Sequence, residues 1–422
     1  LSGPFDLVFA IADGLADIHA GLTFSITVQG LGLTTNSRIS VIDQDFTCGG
    51  LGSTNHEAAS GPVSSSAAAG GAAGTYTASG TTASTSDPDL LQWTGLKMLR
   101  GQSYRICWCS GFIEAGRTQS ACTVDADFVE IPRPTASTPA VDSQFTVLGA
   151  TTFSALNPNQ VYVNNPFYLD VTGVGMEATA RIRIVLSTTA CGADGSQSNM
   201  QYLTEGDLTV AGAAGSTGAI ATSQKWENLK IAEEAHYRLC WCSGVGAAQD
   251  CDRGEDYVSL DLFTMSGPTY FDDGAGAVLA PYTGVEFTIH LAGIGLNILD
   301  RIRIFENTVT CGGAHIQGQT CPDNADDCTM NDKYFSDPFV VGDSVTVEAG
   351  QNNVVGNTGD ISTSQKWESV QLFRSGTYRI CWCFMLGQLC GEPADTKTHV
   401  ASLDYTQNGG SMDFVVAGPR DV

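Results

Sequence analysis

The 422-residue chain is poor in basic residues and lacks any long apolar run. Its 20 lysines and arginines are outnumbered by 45 aspartates and glutamates, which gives a formal net charge of −25. Such a surface repels phosphate backbones and anionic lipid headgroups, so nucleic acid is not an expected partner. No apolar stretch approaches the ~18 residues that would span a bilayer, and no signal-peptide pattern opens the chain. We expect no membrane span in this segment.

Residues suited to catalysis are also scarce. The chain has 6 histidines, and none has the same position in two of the repeats described below. Neither a Gly-x-Ser-x-Gly nucleophile elbow nor a His-Glu-x-x-His metal motif is present. We therefore predict no catalytic residue and no enzyme activity. The Asn-x-Ser/Thr acceptor of N-linked glycans is absent as well, so glycosylation would be O-linked, on stretches such as residues 75–86.

What the chain does contain is one motif repeated three times. The pattern Tyr-Arg-(Ile/Leu)-Cys-Trp-Cys occupies residues 104–109, 237–242 and 378–383, and another tryptophan precedes each copy at a constant spacing. Side chains alternate between the two faces of a strand, so the tyrosine and the tryptophan of the motif share one face. We predict that this face meets the core, which makes all six tryptophans core residues: Trp93, Trp108, Trp226, Trp241, Trp367 and Trp382.

Two further patterns recur upstream of this motif. Residues 24–33, 167–176 and 287–296 each read Phe, aliphatic, aliphatic at alternate positions and then Gly-x-Gly, which predicts a half-buried strand followed by a turn. A second apolar strand starts at Arg38, Arg181 and Arg301. With about seven short strands in each copy, the chain is predicted to be all-β, with three immunoglobulin-like β-sandwiches in tandem.

The predicted sandwiches span residues 1–133, 134–265 and 266–422, and the last range includes the start of a following linker or repeat. A proline-rich stretch at residues 132–139 suggests a linker between the first two. Related Ser/Ala-Gly-Pro segments at residues 2–4, 266–268 and 417–419 are in phase with the repeat. They lead us to expect a window on a longer array, or a three-domain protein with a short tail.

The 14 cysteines fall in even numbers in the three copies. Two cysteines on one face of a strand cannot bond to each other, so each needs a separate partner. The spacing of zinc knuckles is absent, and disulfides indicate an oxidising compartment, so we expect an extracellular or cell-surface protein. The predicted pairs are Cys48 with Cys107, Cys109 with Cys122, Cys191 with Cys240, Cys242 with Cys251, Cys311 with Cys381, Cys383 with Cys390, and Cys321 with Cys328.

Two groups of charged residues have two interpretations each. Arg105, Arg238 and Arg379 share the cysteine face of their strand, where they either pair across strands of their own sandwich or contact an acidic patch on another subunit. Carboxylates crowd an extra loop of the third copy, which is either a solvated acidic loop or a calcium site. Those carboxylates are Asp323, Asp326 and Asp327. No other cofactor is expected.

Together, these motifs resemble the tandem Cys-Trp-Cys repeats in large surface proteins of alveolate protists. The Phe-x-Ile-x-Val-x-Gly-x-Gly strand is also similar to the opening of the TIG-type immunoglobulin-like domain. Both resemblances imply extracellular scaffolding, such as flagellar hairs (mastigonemes), pellicle or matrix fibres. We therefore predict a structural subunit that assembles head to tail with copies of itself into a filament. The alternative is an adhesin or receptor ectodomain that binds a glycan or a protein through variable loops such as residues 49–86.

Overall fold

A computed structural model shows three β-sandwiches in tandem, and the part of the chain that it describes contains no α-helix. The strands are short and most are antiparallel, as the alternating patterns predict. The described residues are 3–11, 15–31, 33, 37–49, 64–65, 75–77, 90–110, 122, 127–131, 144–156, 161–163, 166–192, 203–205, 222–231, 233–245, 251–273, 275–277, 279–296, 301–306, 363–372, 375–383, 400–402 and 413–418.

The first sandwich consists of two sheets. Its strands are β1 (Gly3–Ile11), β2 (Ile18–His19), β3 (Thr23–Leu31), β4 (Arg38–Asp43), β5 (Ser64–Ser65), β6 (Thr75–Thr77), β7 (Leu90–Lys97), β8 (Gln102–Cys109), β9 (Val129–Glu130) and β10 (Gln144–Leu156). One sheet has the order β1-β3-β7-β5, and the other has the order β6-β4-β8-β10 with β9 also on β8. The short β2 pairs with β10 in parallel.

The second sandwich repeats this arrangement. Its further elements are β11 (Val161–Tyr162), β12 (Phe167–Val174), β13 (Arg181–Leu186), β14 (Leu203–Glu205), β15 (Ser223–Ile231), β16 (Ala235–Cys242), a 3-10 helix (Gly254–Asp256) and β17 (Val258–Asp272). One sheet has the order β10-β12-β15-β14, and the other has the order β13-β16-β17. The short β11 pairs with β17 in parallel, as β2 does with β10.

The third sandwich follows the same plan. It adds β18 (Phe287–Ile294), β19 (Arg301–Glu306), β20 (Ser364–Val370), β21 (Gly376–Cys383), β22 (Val400–Ser402) and β23 (Asp413–Val416). One sheet has the order β17-β18-β20, and the other contains β19, β21 and β23 with β22 also on β21. A parallel bridge between Tyr282 and Ala417 takes the place that β2 and β11 have in the other two sandwiches. The prediction of tandem immunoglobulin-like sandwiches is thus confirmed.

The core of each sandwich comes from the alternating residues of the repeats. In β3, Phe24, Ile26 and Val28 are buried, and the intervening residues are partly exposed. All six tryptophans are buried. The hydroxyl of Tyr104 donates a hydrogen bond to the Arg100 carbonyl, and Tyr237 does the same to Glu233, each at 3.0 Å. This local contact resembles the tyrosine corner of immunoglobulin domains and holds the turn before the Cys-Trp-Cys strand.

At each junction, the two neighbouring sandwiches share one strand. Residues 144–147 of β10 pair with β8 of the first sandwich, and residues 149–156 pair with β12 of the second. The first sandwich is therefore completed by residues that the sequence assigned to the second one. In the same way, β17 pairs with β16 up to Met265 and with β18 from Gly267 onward. The proline-rich residues 132–139 lie outside the described residues.

Candidate functional site: the junctions between sandwiches

Four disulfides staple the first two sandwiches. They join Cys48 with Cys107, Cys109 with Cys122, Cys191 with Cys240, and Cys242 with Cys251, and no described cysteine is free. Each predicted pair of the third sandwich includes at least one of four cysteines that lie outside the described residues, namely Cys311, Cys321, Cys328 and Cys390. Those three pairings stay predictions.

Both faces of the Cys-Trp-Cys strand are buried in the first two sandwiches, whereas the sequence led us to expect only one buried face. Trp108 belongs to the main core, while Cys107 and Cys109 form a second small core with Ile42 and Phe128. The second sandwich has the same small core, formed by its cystines with Val185 and Tyr257. The cystines therefore cover the outer face of this sheet instead of facing solvent.

The three repeated arginines make contacts within their own sandwiches. Their guanidinium groups bond to neighbouring strands or loops, and the side chains of the first and third are largely covered. The contacts are Arg105 with the Glu130 carboxylate at 3.5 Å, Arg238 with the Ser259 hydroxyl at 3.0 Å and the Ser187 carbonyl at 3.1 Å, and Arg379 with the Asp413 carboxylate at 3.0 Å. Of the two interpretations, the geometry favours cross-strand pairing, and these groups are committed inside the fold.

A close backbone contact forms where each shared strand passes between sandwiches. At the first junction, Gly173 lies against the carbonyl of Gly149 so closely that a Cβ on Gly173 would overlap that oxygen. At the second junction, Gly293 lies against the carbonyl of Gly267 in the same way. Gly173 and Gly293 are the first glycines of the Gly-x-Gly pattern, which we had interpreted only as a turn. The pattern therefore marks the place where one sandwich joins the next.

The second glycine of the pattern also serves the junction. Gly175 has φ +56° and Gly295 has φ +63°, a left-handed conformation that favours glycine. A Cβ on Gly175 would overlap the side chain of Leu148, and a Cβ on Gly295 would overlap that of Ser266. Leu148 and Ser266 are the last residues of their shared strands before the junction glycine. Both glycines of the pattern thus lie against the preceding sandwich.

The tryptophan of the Cys-Trp-Cys motif packs at the same place. The Trp241 ring of the second sandwich lies against Gly149, which also contacts Ala20 of the first sandwich. The Trp382 ring of the third sandwich lies 6.2 Å, centroid to centroid, from the Tyr162 ring of the second. Each of these tryptophans therefore fills its own core and the junction with the sandwich before it.

Polar contacts add to the first junction. The Lys97 ammonium of the first sandwich donates to the Glu255 carbonyl of the second at 3.1 Å. Arg100 donates to the Leu260 carbonyl at 3.2 Å. Burial lowers the pKa of Lys97, and the charges of Asp256 and Glu255 act in the opposite direction. These contacts place two cations of one sandwich on backbone acceptors of the next.

We predict that Gly173→Ala destabilises the first junction by about 1 to 3 kcal/mol, because a Cβ there has no room beside the Gly149 backbone. Gly192→Ala is the matched control, since the nearest atom to its added Cβ would be 3.8 Å away. The control should change stability by less than about 0.5 kcal/mol. Denaturant unfolding followed by tryptophan fluorescence measures both. Equal stability of the two variants would contradict the tight contact.

We predict that the buried His19 makes the stability of the first junction depend on pH. Burial lowers its pKa below 6.5, and Asp17 and Glu177 act in the opposite direction. The imidazole of His19 therefore binds a proton more tightly in the unfolded state than in the folded state. As pH falls through the unfolded pKa, protonation favours unfolding and lowers the free energy of unfolding. This loss is complete once the pH lies below the lower pKa of the folded state. We expect this loss below about pH 6.5 to be smaller in His19→Tyr, which has the side chain of the second junction. Thermal unfolding between pH 8 and pH 5 measures the loss of stability in both proteins. Equal slopes of stability against pH in the two proteins would refute the prediction.

Outside the junctions, His290 joins two polar side chains in the third sandwich. Its Nδ1 is 2.9 Å from the Asp272 carboxylate, and its Nε2 is 2.6 Å from the Ser364 hydroxyl. Asp272 lies directly opposite His290 across β17 and β18, and Ser364 on β20 is diagonal to His290. In the second sandwich, the Ser223 hydroxyl donates to Asp170 along the equivalent diagonal. A recurrent diagonal cross-strand contact accounts for this arrangement, and we assign no catalytic role to it.

The calcium candidates Asp323, Asp326 and Asp327 lie outside the described residues, so that site stays a prediction. Within the described ranges, no helix has the length and apolar character needed to cross a membrane.

No protein-family model matches the chain, and no curated protein matches it in sequence. Among solved structures, a tetra-tandem repeat in the extending region of a large adhesion protein is similar at 9% identity, with 98% of this chain and 74% of that one covered, at a TM-score of 0.17. Extracellular domains 3–5 of Drosophila OTK match at 9% identity, 99% and 98% coverage, and a TM-score of 0.15. A marsupial T cell receptor matches at 10% identity, 91% and 98% coverage, and a TM-score of 0.19. TM-scores this low carry no inference about function.

Proposed function

We propose that the chain is a structural repeat subunit of an extracellular filament, flagellar hair or matrix fibre, joined head to tail with copies of itself. The observation that carries the proposal is the strand shared by neighbouring sandwiches at both junctions. β10 and β17 run without interruption from one sandwich into the next, so a continuous strand crosses each junction. Tandem units that contact their neighbours through buried surfaces suit a spacing or load-bearing role.

The disulfides support an extracellular or cell-surface location. Four cystines staple the first two sandwiches, and such bonds persist in oxidising compartments. In a fibre outside the cell, where reducing enzymes are absent, these disulfides would keep the sandwiches folded.

Electron microscopy of the oxidised, purified chain at rising concentration tests the proposal. Ordered filaments with a repeat that matches the sandwich array are expected. A monodisperse, compact monomer at high concentration would contradict the filament function.

A surface groove supports ligand binding as a second candidate function, although strands line it and not the variable loops such as residues 49–86 that the adhesin alternative named. It has a volume of about 480 Å³ and lies between β10 and β17 of the second sandwich. Aromatic side chains, Phe153 and Phe263, line it together with the polar groups of Asp261 and Thr264. Concave sites with apolar walls and a few polar groups are typical of ligand binding. Binding of the monomer to a glycan or protein array, lost in Phe153→Asp, would support this second function.

A further inference from the structure

Tyr282 of the third sandwich has the same backbone position as His19 and Tyr162 in the first two. The residue after each donates its N–H to the end of the closing strand: Ala20 to Leu148 at 2.8 Å, Val163 to Ser266 at 2.9 Å, and Thr283 to Ala417 at 2.9 Å. The equivalence extends further, because Leu22 donates to His19 and Val285 donates to Tyr282, each at 3.1 Å. All three sandwiches therefore present the same structure at this end.

The exposure of this position differs sharply among the copies. His19 is 5% exposed and Tyr162 is 1% exposed, whereas Tyr282 is 65% exposed. Tyr162 lies against Trp382 of the following sandwich, and His19 lies near Glu177 of the following sandwich. Val285, next to Tyr282, is also exposed, while its counterpart Leu22 is buried. A surface that is covered at both junctions is thus open at the end of the third sandwich.

We propose that Tyr282 and Val285 form a docking surface for the first sandwich of a second copy of this chain. The proposal rests on the filament function above and names the contact that would build it. The argument for it is continuity with an interface that is already present twice in the molecule. At each internal junction, the end of a sandwich that contains His19 or Tyr162 meets the Cys-Trp-Cys strand of the following sandwich. A contact between two different surfaces does not close on itself, so it generates filaments.

The first sandwich has a Cys-Trp-Cys strand like those that contact the preceding sandwich at the two internal junctions. Trp108 has the motif position of Trp241 and Trp382, and it is 7% exposed where those two are fully buried. Val129, which pairs with Trp108 across the strands, is exposed, and so is Leu31 within the first Gly-x-Gly. An exposed apolar residue, Val129, therefore lies beside the tryptophan. The two ends complement each other in the way that the internal junctions do.

The net charge sets the salt dependence of this contact. Two chains of formal charge −25 repel each other, and the repeated arginines are already committed within their sandwiches. Apolar docking should therefore strengthen as salt screens the repulsion, between about 50 and 500 mM. Weaker association at higher salt would contradict an apolar docking surface.

Sedimentation velocity of the full chain and its variants tests the assignment. Tyr282→Asp should weaken self-association by about ten-fold or more, because an aromatic anchor becomes a charge. Leu262→Asp is the matched control, since Leu262 is comparably exposed but lies in the middle sandwich. It should associate like the unmodified chain, as should Tyr282→Phe. Equal association of Tyr282→Asp and the unmodified chain would overturn the docking surface.

Photo-crosslinking separates this inference from the filament function. With p-benzoylphenylalanine at position 282, crosslinks are expected to peptides that contain Trp108 or Val129 of another chain. Filaments whose crosslinks lie elsewhere would overturn the docking surface and leave the filament function standing. Crosslinks to these peptides in particles that never grow beyond dimers would support the surface and contradict the filament. A chain that stays monomeric in every condition would overturn both.

Discussion

Replacing Trp241 with alanine is expected to lower the free energy of unfolding of the second sandwich by about 3 to 5 kcal/mol. The indole is fully buried in the core face of β16, and its ring also lies against Gly149 in the shared strand β10. The cavity left behind therefore reaches the junction, and opening should spread into β10. Hydrogen exchange read by mass spectrometry should show faster exchange in both β16 and residues 149–156.

Trp108→Ala is the control for the junction part of this effect. It removes the same side chain from the same motif in β8 of the first sandwich, whose register with β4 matches that of β16 with β13. Its effect should centre on the first sandwich and leave residues 149–156 protected. If these residues exchange equally in both variants, Trp241 has no special role at the junction.

The strands and the core could be predicted because their signal is local. Phe24, Ile26 and Val28 alternate with polar residues, and a strand with one buried face places such residues on the same side. Three copies of the pattern made the assignment stronger than any single copy could. The cysteine pairs of the first two sandwiches rested on two local arguments: strand alternation prevents Cys107 from bonding to Cys109, and Cys109 is the nearer of the two to the loop that leads to Cys122.

The shared strands could not be predicted, because their pairing is a long-range property. Residues 132–139 have the composition of a linker, so the first boundary was drawn there. Residues 144–147 nevertheless pair with β8, and the same strand continues into the second sandwich. Nothing in the local pattern of one strand states which two sheets it will complete.

A signal for the junctions was nevertheless present in the glycines. The first glycine of each Gly-x-Gly recurs together with a glycine near the start of each copy, and the pairs Gly173 with Gly149 and Gly293 with Gly267 meet in the structure. Recurrence of two glycines per copy is more than a turn requires. The exposure of Tyr282, by contrast, leaves no mark in the sequence, because the residues that cover its counterparts belong to another sandwich.

Removing the long disulfide of the first sandwich, by Cys48→Ala with Cys107→Ala, is expected to lower its free energy of unfolding by about 4 kcal/mol. The bond closes a loop of 59 residues, so it restricts the unfolded chain more than a short loop does. The disulfide also contributes to the small core with Ile42 and Phe128 on the outer face of the sheet. Denaturant unfolding without reductant, followed by fluorescence, measures the loss.

The short disulfide of the same sandwich is the matched control. Cys109 and Cys122 are 13 residues apart, and the chain-entropy estimate for their removal is about 3 kcal/mol. Both pairs contribute to the same small core, so the difference between the two double variants reports loop length instead of packing. A loss for the short pair equal to or greater than that for the long pair would show that packing of the cystines, and not restriction of the unfolded chain, dominates their contribution to stability.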